Sequence, residues 1–174
     1  MSGKVTQMIK EEDVDSRIKE LAAKIDEDYK GEEIFIVCIL RGAAFFACEL
    51  AKRIKAPVTI DFMQVSSYGA GTVSSGEVKI IKDIDLSVRD KNVIIVEDIV
   101  DTGNTLSTLR DIFEHRKSKS VKICSLLDKP DRRERDVTVD YTGFVIEDRF
   151  VVGCGMDYLQ KYRNLPYIGV VEFE

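Results

Sequence analysis

Three acidic residues stand close together in the stretch VIIVEDIVDTGNT, which covers residues 93–105. Glu97 and Asp98 follow four branched apolar residues, and Asp101 comes three positions after Asp98. Because an ionised carboxylate only accepts hydrogen bonds, Glu97 and Asp98 can hold sugar hydroxyls or a hard cation such as Mg²⁺, but they cannot bind a phosphate directly. The acids therefore indicate a site for a hydroxylated ligand, a cation, or both.

The residues that follow the acids have the composition of an anion site. Thr102, Gly103, Asn104 and Thr105 join the predicted strand to a helix, whose first backbone N–H groups have no partner inside the helix. The helix dipole adds positive partial charge, Gly103 leaves room for a ligand, and the threonine hydroxyls are donors. A phosphate site beside a hydroxyl site predicts a sugar phosphate. Acids after a buried strand are also common as helix caps, so Asp101 has a structural interpretation as an N-cap.

The surrounding elements predict an α/β fold with a mainly parallel sheet. Strands are expected at 34–40, 58–65, 93–96 and 121–128, helices at 11–29, 43–54 and 104–117, and short β segments in the last third. A stretch at 66–78, rich in Ser, Gly and Thr, is expected to be a mobile loop. In sheets of this kind ligands bind beyond the carboxyl ends of the strands, which is where the three acids are predicted to lie.

Composition narrows the class of protein. The 174 residues suit one compact domain, and the 44% hydrophobic and 33% charged residues are ordinary for a globular chain. A net charge of −5 disfavours a broad basic surface for nucleic acid. No apolar run approaches the roughly 20 residues that span a bilayer, and the N-terminus lacks a signal-peptide core. We therefore expect a cytoplasmic protein without a membrane or nucleic-acid partner.

Cysteine and histidine chemistry is not expected. The four cysteines, Cys38, Cys48, Cys124 and Cys154, lack CxxC spacing and are interpreted as small buried core residues in a reducing compartment. The only histidine, His115, lies on a predicted helix beside two basic residues and is interpreted as a surface residue. This pattern disfavours a histidine-based triad and a histidine-rich metal site.

The segment VIIVEDIVDTGNTL resembles the phosphoribosyl-diphosphate signature of the purine and pyrimidine phosphoribosyltransferases. Four further segments resemble the hypoxanthine and hypoxanthine-guanine members in chain order: LRGA at 40–43, SSYGAGTVSSGEVKI at 66–80, SLLDKPDRR at 125–133 and RFVVGCGMDYLQKYRNLPYIGVV at 149–171. The resemblance implies one domain over 1–174 with the type I phosphoribosyltransferase fold. That fold has a mainly parallel twisted sheet flanked by helices, a small hood from the N-terminal segment and the C-terminal third, and a mobile lid loop at 66–80.

The resemblance implies transfer of a 5-phosphoribosyl group from phosphoribosyl diphosphate to a purine nitrogen, with release of pyrophosphate. It assigns the 5-phosphate to 101–105, the ribose hydroxyls to Glu97 and Asp98, and acid/base work at the purine imidazole ring to Asp101. The transition state resembles an oxocarbenium ion, so catalysis is mostly positioning and electrostatics. A carboxylate in a closed site beside other acids has a raised pKa, which suits proton exchange.

The resemblance also implies which residues bind the diphosphate group and the metal ion. Arg163 and the Arg41–Gly42 backbone match the pyrophosphate-binding positions, although lysine is common in the family at position 41. The family often has a cis peptide at this turn, here Arg41–Gly42. Asp157 matches the metal-binding acid, and Mg²⁺ is the expected cofactor, with Glu97 and Asp98 as further candidate ligands. Taken singly, Asp157 is interpreted as a turn residue and Arg163 as a surface ion-pair partner.

The residues that bind the purine are likewise assigned from the resemblance. Lys129 matches the donor to the six-position oxygen of the base, which favours 6-oxopurines over adenine. Phe150 matches the ring that stacks on the purine, and Val151 matches its backbone partner. The Ser67–Tyr68 pair matches the lid, whose closure excludes water. In isolation Lys129 is interpreted as an exposed lysine, and Phe150 and Val151 as strand core residues.

Several functions remain open at this point. The first is a salvage enzyme that makes inosine and guanosine monophosphates, with a homodimer or homotetramer implied by the family. A regulatory RNA-binding protein of the same fold is disfavoured by the acidic total charge, and a silent phosphoribosyl-diphosphate sensor by the presence of Asp101, Asp157 and Arg163. A pyrimidine-specific or xanthine-preferring enzyme is the nearest rival, because the sequence does not rank the bases.

Overall fold

The computed structural model describes residues 4–67 and 78–173. The strands are β1 (Lys4–Ile9), β2 (Ile34–Leu40), β3 (Val58–Ser67), β4 (Val78–Lys82), β5 (Asn92–Val100), β6 (Ser120–Asp128), β7 (Tyr141–Val145), β8 (Val151–Val152) and β9 (Ile168–Glu172). The helices are α1 (Glu11–Tyr29), α2 (Ala44–Ala51) and α3 (Asn104–His115), and a 3₁₀ turn spans Pro130–Arg132. None of these helices is long and apolar enough to cross a membrane.

Six strands form the central sheet in the order β4-β3-β2-β5-β6-β7. All neighbours are parallel except β3 and β4, which pair antiparallel at one edge. The predicted α/β fold with a mainly parallel sheet is therefore confirmed. A second, three-stranded antiparallel sheet in the order β1-β9-β8 places the N-terminal strand beside the two C-terminal ones.

The side chains of the buried strands alternate between two hydrophobic clusters, one on each face of the central sheet. On β2, Ile34, Ile36 and Cys38 pack in the cluster that contains α1 and α2, whereas the alternating residues pack in the cluster that contains α3. Successive strand residues point to opposite faces, so a strand that is covered on both sides must be apolar throughout. This explains the unbroken apolar runs of β2 and the first half of β5.

Helix α1 matches the predicted range and begins and ends for local reasons. Three acids in its first turn complement the positive end of the helix dipole. Its buried side chains recur at helical spacing, and they are Val14, Ile18, Leu21, Ala22, Ile25 and Tyr29. Lys30 and Gly31 then take positive φ angles of 50° and 84°, which ends the helix and turns the chain toward β2.

Some predicted boundaries are wrong. Helix α2 is shorter than 43–54, and α3 ends before 117 because Lys117 takes a φ of 64°. Strand β5 runs past residue 96, since its pairing with β6 continues to Val100 opposite Asp128. Pairing with β2 on the other side stops at Val96. The two acids therefore lie inside the strand, on a stretch whose β2 side is unpaired.

The cysteine prediction is partly wrong. Cys38 and Cys124 are buried, but Cys48 is exposed and Cys154 is half-buried, and all four thiols are free. Cys48 lies on the short helix α2, whose outer side is not covered. His115 is exposed at the end of α3, as predicted, and its Nδ1 lies 2.7 Å from the carbonyl oxygen of Asp111.

Candidate active site

Two glycines bring three segments together at the carboxyl end of the sheet. A Cβ added to Gly42 would lie 1.7 Å from Asp98 Oδ2, so the turn after β2 packs directly on that carboxylate. A Cβ added to Gly155, which has a φ of 103°, would lie 1.9 Å from the Gly42 carbonyl oxygen. Only glycine fits such backbone approaches. The turn also holds a non-proline cis peptide, which joins Leu40 to Arg41 and lies one bond before the Arg41–Gly42 bond that the resemblance had indicated.

Glu97 and Asp98 form a partly buried acidic pair on β5. The Asp98 N–H donates to Glu97 Oε1 at 3.3 Å, and the Ile99 N–H donates to Asp98 Oδ1 at 2.8 Å. Burial raises the pKa of Glu97 well above its usual range, and the neighbouring Asp98 charge adds to the shift. Burial also raises the pKa of Asp98, while hydrogen bonds and the Arg163 charge act in the opposite direction. The pair is thus suited to accept a hydroxyl or a cation.

The loop after β5 lines a cavity of about 120 Å³. Its walls are Glu97, Ile99, Val100, Asp101, Thr102, Gly103, Thr105 and Leu106. Gly103, with a φ of 83°, is the N-cap of α3 and has no side chain to cap the helix, while Thr102 Oγ1 accepts the N–H of Asn104 at 3.4 Å. The expected N-cap role of Asp101 is therefore wrong, because the helix begins two residues later than that role requires. The open N–H groups at this helix start can bind an anion.

Asp101 does not lie in the closed acidic setting that was expected. Its side chain is 44% exposed, and Arg132 Nε donates to its Oδ1 at 2.9 Å. The carbonyl oxygen of Asp101 accepts from Arg133 Nη1 at 2.8 Å. The residue is held by two arginines of the neighbouring loop, while Glu97 and Asp98 lie deeper in the same strand.

The loop after β6 fixes the shape of this cavity. The carbonyl oxygen of Thr102 accepts the N–H groups of Glu134 and Arg135, at 2.9 and 3.1 Å. Asn104 Nδ2 donates to Glu134 Oε2 at 2.8 Å. The Asn104 side chain is therefore hydrogen-bonded to the loop after β6. These contacts tie the predicted phosphate loop to the loop after β6.

The predicted diphosphate residues meet on the loop after β8. Arg163 Nη2 lies 2.8 Å from Asp157 Oδ1, and Arg163 Nη1 donates to the Gly155 carbonyl oxygen at 2.7 Å. Gln160 Oε1 accepts from both Arg163 Nη2 and Arg41 Nη1, each at 3.1 Å. The structure therefore joins Arg41, Arg163 and Asp157 in one cluster. Gln160, which the sequence did not single out, lies at its centre.

The predicted purine residues have settings that differ from their interpretation in isolation. Lys129 is 7% exposed, not an exposed lysine, and its Nζ lies 3.2 Å from Asp148 Oδ1. Phe150 is 46% exposed and precedes β8, so it is not a strand core residue, whereas Val151 is buried. The Phe150 ring meets Tyr158 and Phe173 edge to face, with centroids 5.6 and 5.5 Å apart.

Part of the predicted site lies at the edge of the described chain. Ser67 is the last residue of β3, and Tyr68 with most of the predicted lid falls outside the described residues. Four residues now join the site beyond those singled out from the sequence: Arg132, Tyr158, Gln160 and Phe173. The first three lie within segments that carried the family resemblance, which is the only signal that could have found them.

The candidate metal ligands are the Glu97–Asp98 pair and Asp157. Within 4–67 and 78–173, no three acidic, cysteine or histidine side chains converge tightly enough to hold a metal ion by themselves. Mg²⁺ commonly uses one or two carboxylates and completes its shell with water and substrate phosphates. The Glu97–Asp98 pair and Asp157 fit that mode of binding, in which the substrate supplies ligands.

Comparisons with known proteins agree with this geometry. Residues 6–159 match the phosphoribosyl transferase domain family. The chain is 50% identical over 167 residues to the hypoxanthine-guanine phosphoribosyltransferase of Streptococcus thermophilus, covering 96% of this chain and 93% of that protein. It is 50% identical to the hypoxanthine phosphoribosyltransferase of Salmonella typhimurium, covering 98% and 97%. A crystal structure of a hypoxanthine-guanine phosphoribosyltransferase from Bacillus anthracis superposes with a TM-score of 0.93 at 46% identity, covering 99% and 100%.

Proposed function

This chain belongs to the phosphoribosyl transferase family, and on that premise we propose how its site performs purine salvage. The protein is a hypoxanthine phosphoribosyltransferase: it moves the 5-phosphoribosyl group from phosphoribosyl diphosphate to a 6-oxopurine and releases pyrophosphate. The products are inosine monophosphate from hypoxanthine and guanosine monophosphate from guanine.

One observation carries the assignment of the site. Three features lie next to one another in space around the carboxyl ends of β2 and β5. They are the cavity at the start of α3, the acidic pair and the arginine cluster, in that order. The Gly42–Asp98 contact connects the arginine side to the acids, and β5 itself connects the acids to the cavity. A molecule that carries a 5-phosphate, ribose hydroxyls and a 1-diphosphate presents its groups in that same order.

The chain's residues then act by position and charge. The helix-start N–H groups and the hydroxyls of Thr102 and Thr105 bind the 5-phosphate, and Glu97 and Asp98 accept from the ribose hydroxyls. Their negative charge also stabilises the cationic sugar that forms as pyrophosphate departs. Asp101, at the mouth of the cavity, faces the purine imidazole ring and takes up its proton.

Selection of the base rests on Lys129 and Phe150. Lys129 donates to the six-position oxygen, whereas the amino group of adenine would place donors against a cation. Because Lys129 is buried, the mismatch with adenine is not relieved by bulk water. Phe150 offers its exposed ring for stacking on the purine, with Val151 beside it.

Magnesium is part of the proposal. Asp157 and the Glu97–Asp98 pair are the residues that would hold Mg²⁺ together with substrate oxygens. The ion supplies charge neutralisation for the diphosphate. Arg41 and Arg163 supply positive charge from the protein for the same group.

The remaining assignments concern the whole chain. We assign residues 1–174 to one domain in which the sheet of β1, β9 and β8 is the hood over the purine. The hood is supported by Phe150, Tyr158 and Phe173, which cluster beside that sheet. The enzyme works in the cytoplasm as a homodimer or homotetramer, and its four free thiols fit a reducing compartment.

The first test is a parallel assay of nucleotide formation from phosphoribosyl diphosphate and Mg²⁺ with hypoxanthine, guanine, xanthine, adenine and uracil. We expect turnover of hypoxanthine and guanine, and rates for adenine and uracil that are lower by at least about 100-fold, since buried polar groups reject mismatched bases. Preference for xanthine would instead identify a xanthine-preferring enzyme, and preference for uracil would identify a pyrimidine-specific one. Binding of phosphoribosyl diphosphate without turnover of any base would overturn the enzyme and favour a sensor or RNA-binding protein.

A further inference from the structure

Gln160 occupies an unusual position between two cations. Its Oε1 accepts from Arg41 Nη1 and Arg163 Nη2, both at 3.1 Å. Two guanidinium groups that share one oxygen repel each other, and the neutral amide only partly offsets that repulsion. Arg163 has two further acceptors, Asp157 Oδ1 and the Gly155 carbonyl oxygen. Arg41 is exposed, and Gln160 is its hydrogen-bond partner among the described residues.

The backbone holds the Gln160 side chain in this place. The Gln160 N–H donates to Asp157 Oδ2 at 2.8 Å, while Asp157 Oδ1 contacts Arg163. Leu159, Gln160 and Tyr162 all have positive φ angles, of 50°, 65° and 73°. Such conformations are costly for residues other than glycine, and they persist only where surrounding contacts impose them. One carboxylate thus fixes both the arginine and the residue that bridges it to Arg41.

We propose that Gln160 is a positioning residue that keeps Arg41 and Arg163 together for the diphosphate of the substrate. This inference rests on the proposed function, in which both arginines bind that group. The amide oxygen reaches both guanidinium groups without neutralising either of them. When the diphosphate arrives, its oxygens take the two N–H donors, and Gln160 Oε1 is released to water. A neutral amide oxygen is suited to this exchange, because it holds the two guanidinium groups more weakly than the anionic oxygens of the diphosphate do.

The charge of the bridging side chain provides the sharpest test. Gln160→Glu keeps the shape but makes the bridge an ion pair with both arginines, which the diphosphate must then displace. We expect the KM for phosphoribosyl diphosphate and the inhibition constant of pyrophosphate each to rise about tenfold, with the KM for hypoxanthine unchanged. Gln160→Ala removes the bridge without adding charge, and we expect a rise of about threefold in both constants. Unchanged constants in Gln160→Glu would overturn the inference.

Matched variants separate this inference from its premise. Lys55→Gln changes the net charge by the same amount at an exposed residue before β3, at the other end of the sheet, and is expected to leave all constants unchanged. In an Arg41→Ala background, the penalty of Gln160→Glu should shrink, because one of the two cations that hold the new carboxylate is gone. An undiminished penalty there would show that Gln160 does not act through Arg41, and would also overturn the inference.

Arg163→Ala tests the premise itself. If it leaves the KM for phosphoribosyl diphosphate and the inhibition by pyrophosphate unchanged, the diphosphate assignment fails, and the role of Gln160 fails with it. If it raises both constants while Gln160→Glu raises neither, only the Gln160 inference fails. Thermal melting of each variant without ligand, expected to match the parent protein for the exposed Gln160, shows that the constants report on binding and not on unfolding.

Discussion

The loop after β5 and the loop after β8 form two sides of the same site in different ways. The first side is contiguous: its acids, hydroxyls and helix-start N–H groups all belong to residues 97–105. The second side is dispersed, and its charged cluster draws on Arg41 as well as Asp157, Gln160 and Arg163. The contiguous side has a geometry that one strand and one helix impose, while the dispersed side depends on long-range contacts such as Gly42 against Gly155.

This difference matters for how the two sides tolerate change. On the contiguous side, the proposed function gives a single side chain, Asp101, a reaction step that no neighbour duplicates. On the dispersed side, the proposed function shares the binding of the diphosphate among several residues, so each single loss should cost less. The predictions below test that ordering.

The largest effect is expected at Asp101. Asp101→Asn removes the proton acceptor while keeping the shape, and kcat should fall by about 100-fold or more, with little change in either KM. Steady-state kinetics with hypoxanthine measures this. Because Arg132 pairs with both Asp101 and Asp148, Arg132→Gln is the control for loss of these ion pairs with the Asp101 carboxylate kept. An equal fall in kcat for Arg132→Gln would mean that Asp101 acts through the pair.

Lys129, which follows β6 and belongs to neither side, should have the next largest effect. Lys129→Met keeps the length but removes the charged donor, and kcat/KM for hypoxanthine should fall roughly 10- to 100-fold, since hydrogen bonds to charged groups contribute about 1.5–3 kcal/mol. The rate with adenine should not fall in parallel, so the ratio of the two substrates narrows. Asp148→Asn, which removes the partner of Lys129 but keeps the cation, is expected to preserve the ratio.

A smaller effect is expected from Phe150, the ring proposed to stack on the purine. Phe150→Ala should raise the KM for hypoxanthine about tenfold, because stacking on a base contributes roughly 1–3 kcal/mol. The KM for phosphoribosyl diphosphate should stay constant. Leu86→Ala, at a side chain that is 53% exposed, is the control for loss of a surface apolar group. A rise confined to phosphoribosyl diphosphate would place Phe150 on the other half of the site.

The smallest effect is expected in the stability of the protein, at Glu97 on the contiguous side. The pKa of Glu97 is raised in the folded protein, so folding is favoured below the ordinary value of 4.5 and that contribution is lost as pH rises through the folded-state pKa. Glu97→Gln removes this dependence and should stabilise the ligand-free protein near pH 7, by roughly 1.4 kcal/mol for each unit of pKa shift. Urea unfolding from pH 4 to 8 measures the difference, which should vanish toward pH 4.

Glu97→Gln should also weaken binding of phosphoribosyl diphosphate, because the amide is a poorer acceptor of ribose hydroxyls than the carboxylate. A variant that is more stable but binds phosphoribosyl diphosphate less well would show that the acidic pair lowers the stability of the fold and is kept for binding. If the variant were less stable than the parent protein at pH 7 and at pH 4 alike, the raised pKa would not describe Glu97 in solution.

Local pattern determined the central elements. Helix α1 and strand β2 have the predicted bounds, because their apolar residues recur at the spacing of one covered helix face and of a strand covered on both sides. By contrast, β1 and β4 were not predicted from the sequence. Both are edge strands with mixed exposed and half-buried residues, so their pairing with β9 and β3 defines them, and no run of apolar residues marks them.

The same division runs through the site. The sequence by itself determined that carboxylates, hydroxyls and a helix start occur together at 97–105, because neighbours in the chain cannot lie far apart. Only the tertiary structure decided that β5 extends through its acids, that Arg132 pairs with Asp101, and that Gln160 lies between Arg41 and Arg163. Those contacts join residues that are distant in the chain, so their geometry depends on how the sheet, the loops and the glycine contacts fit together.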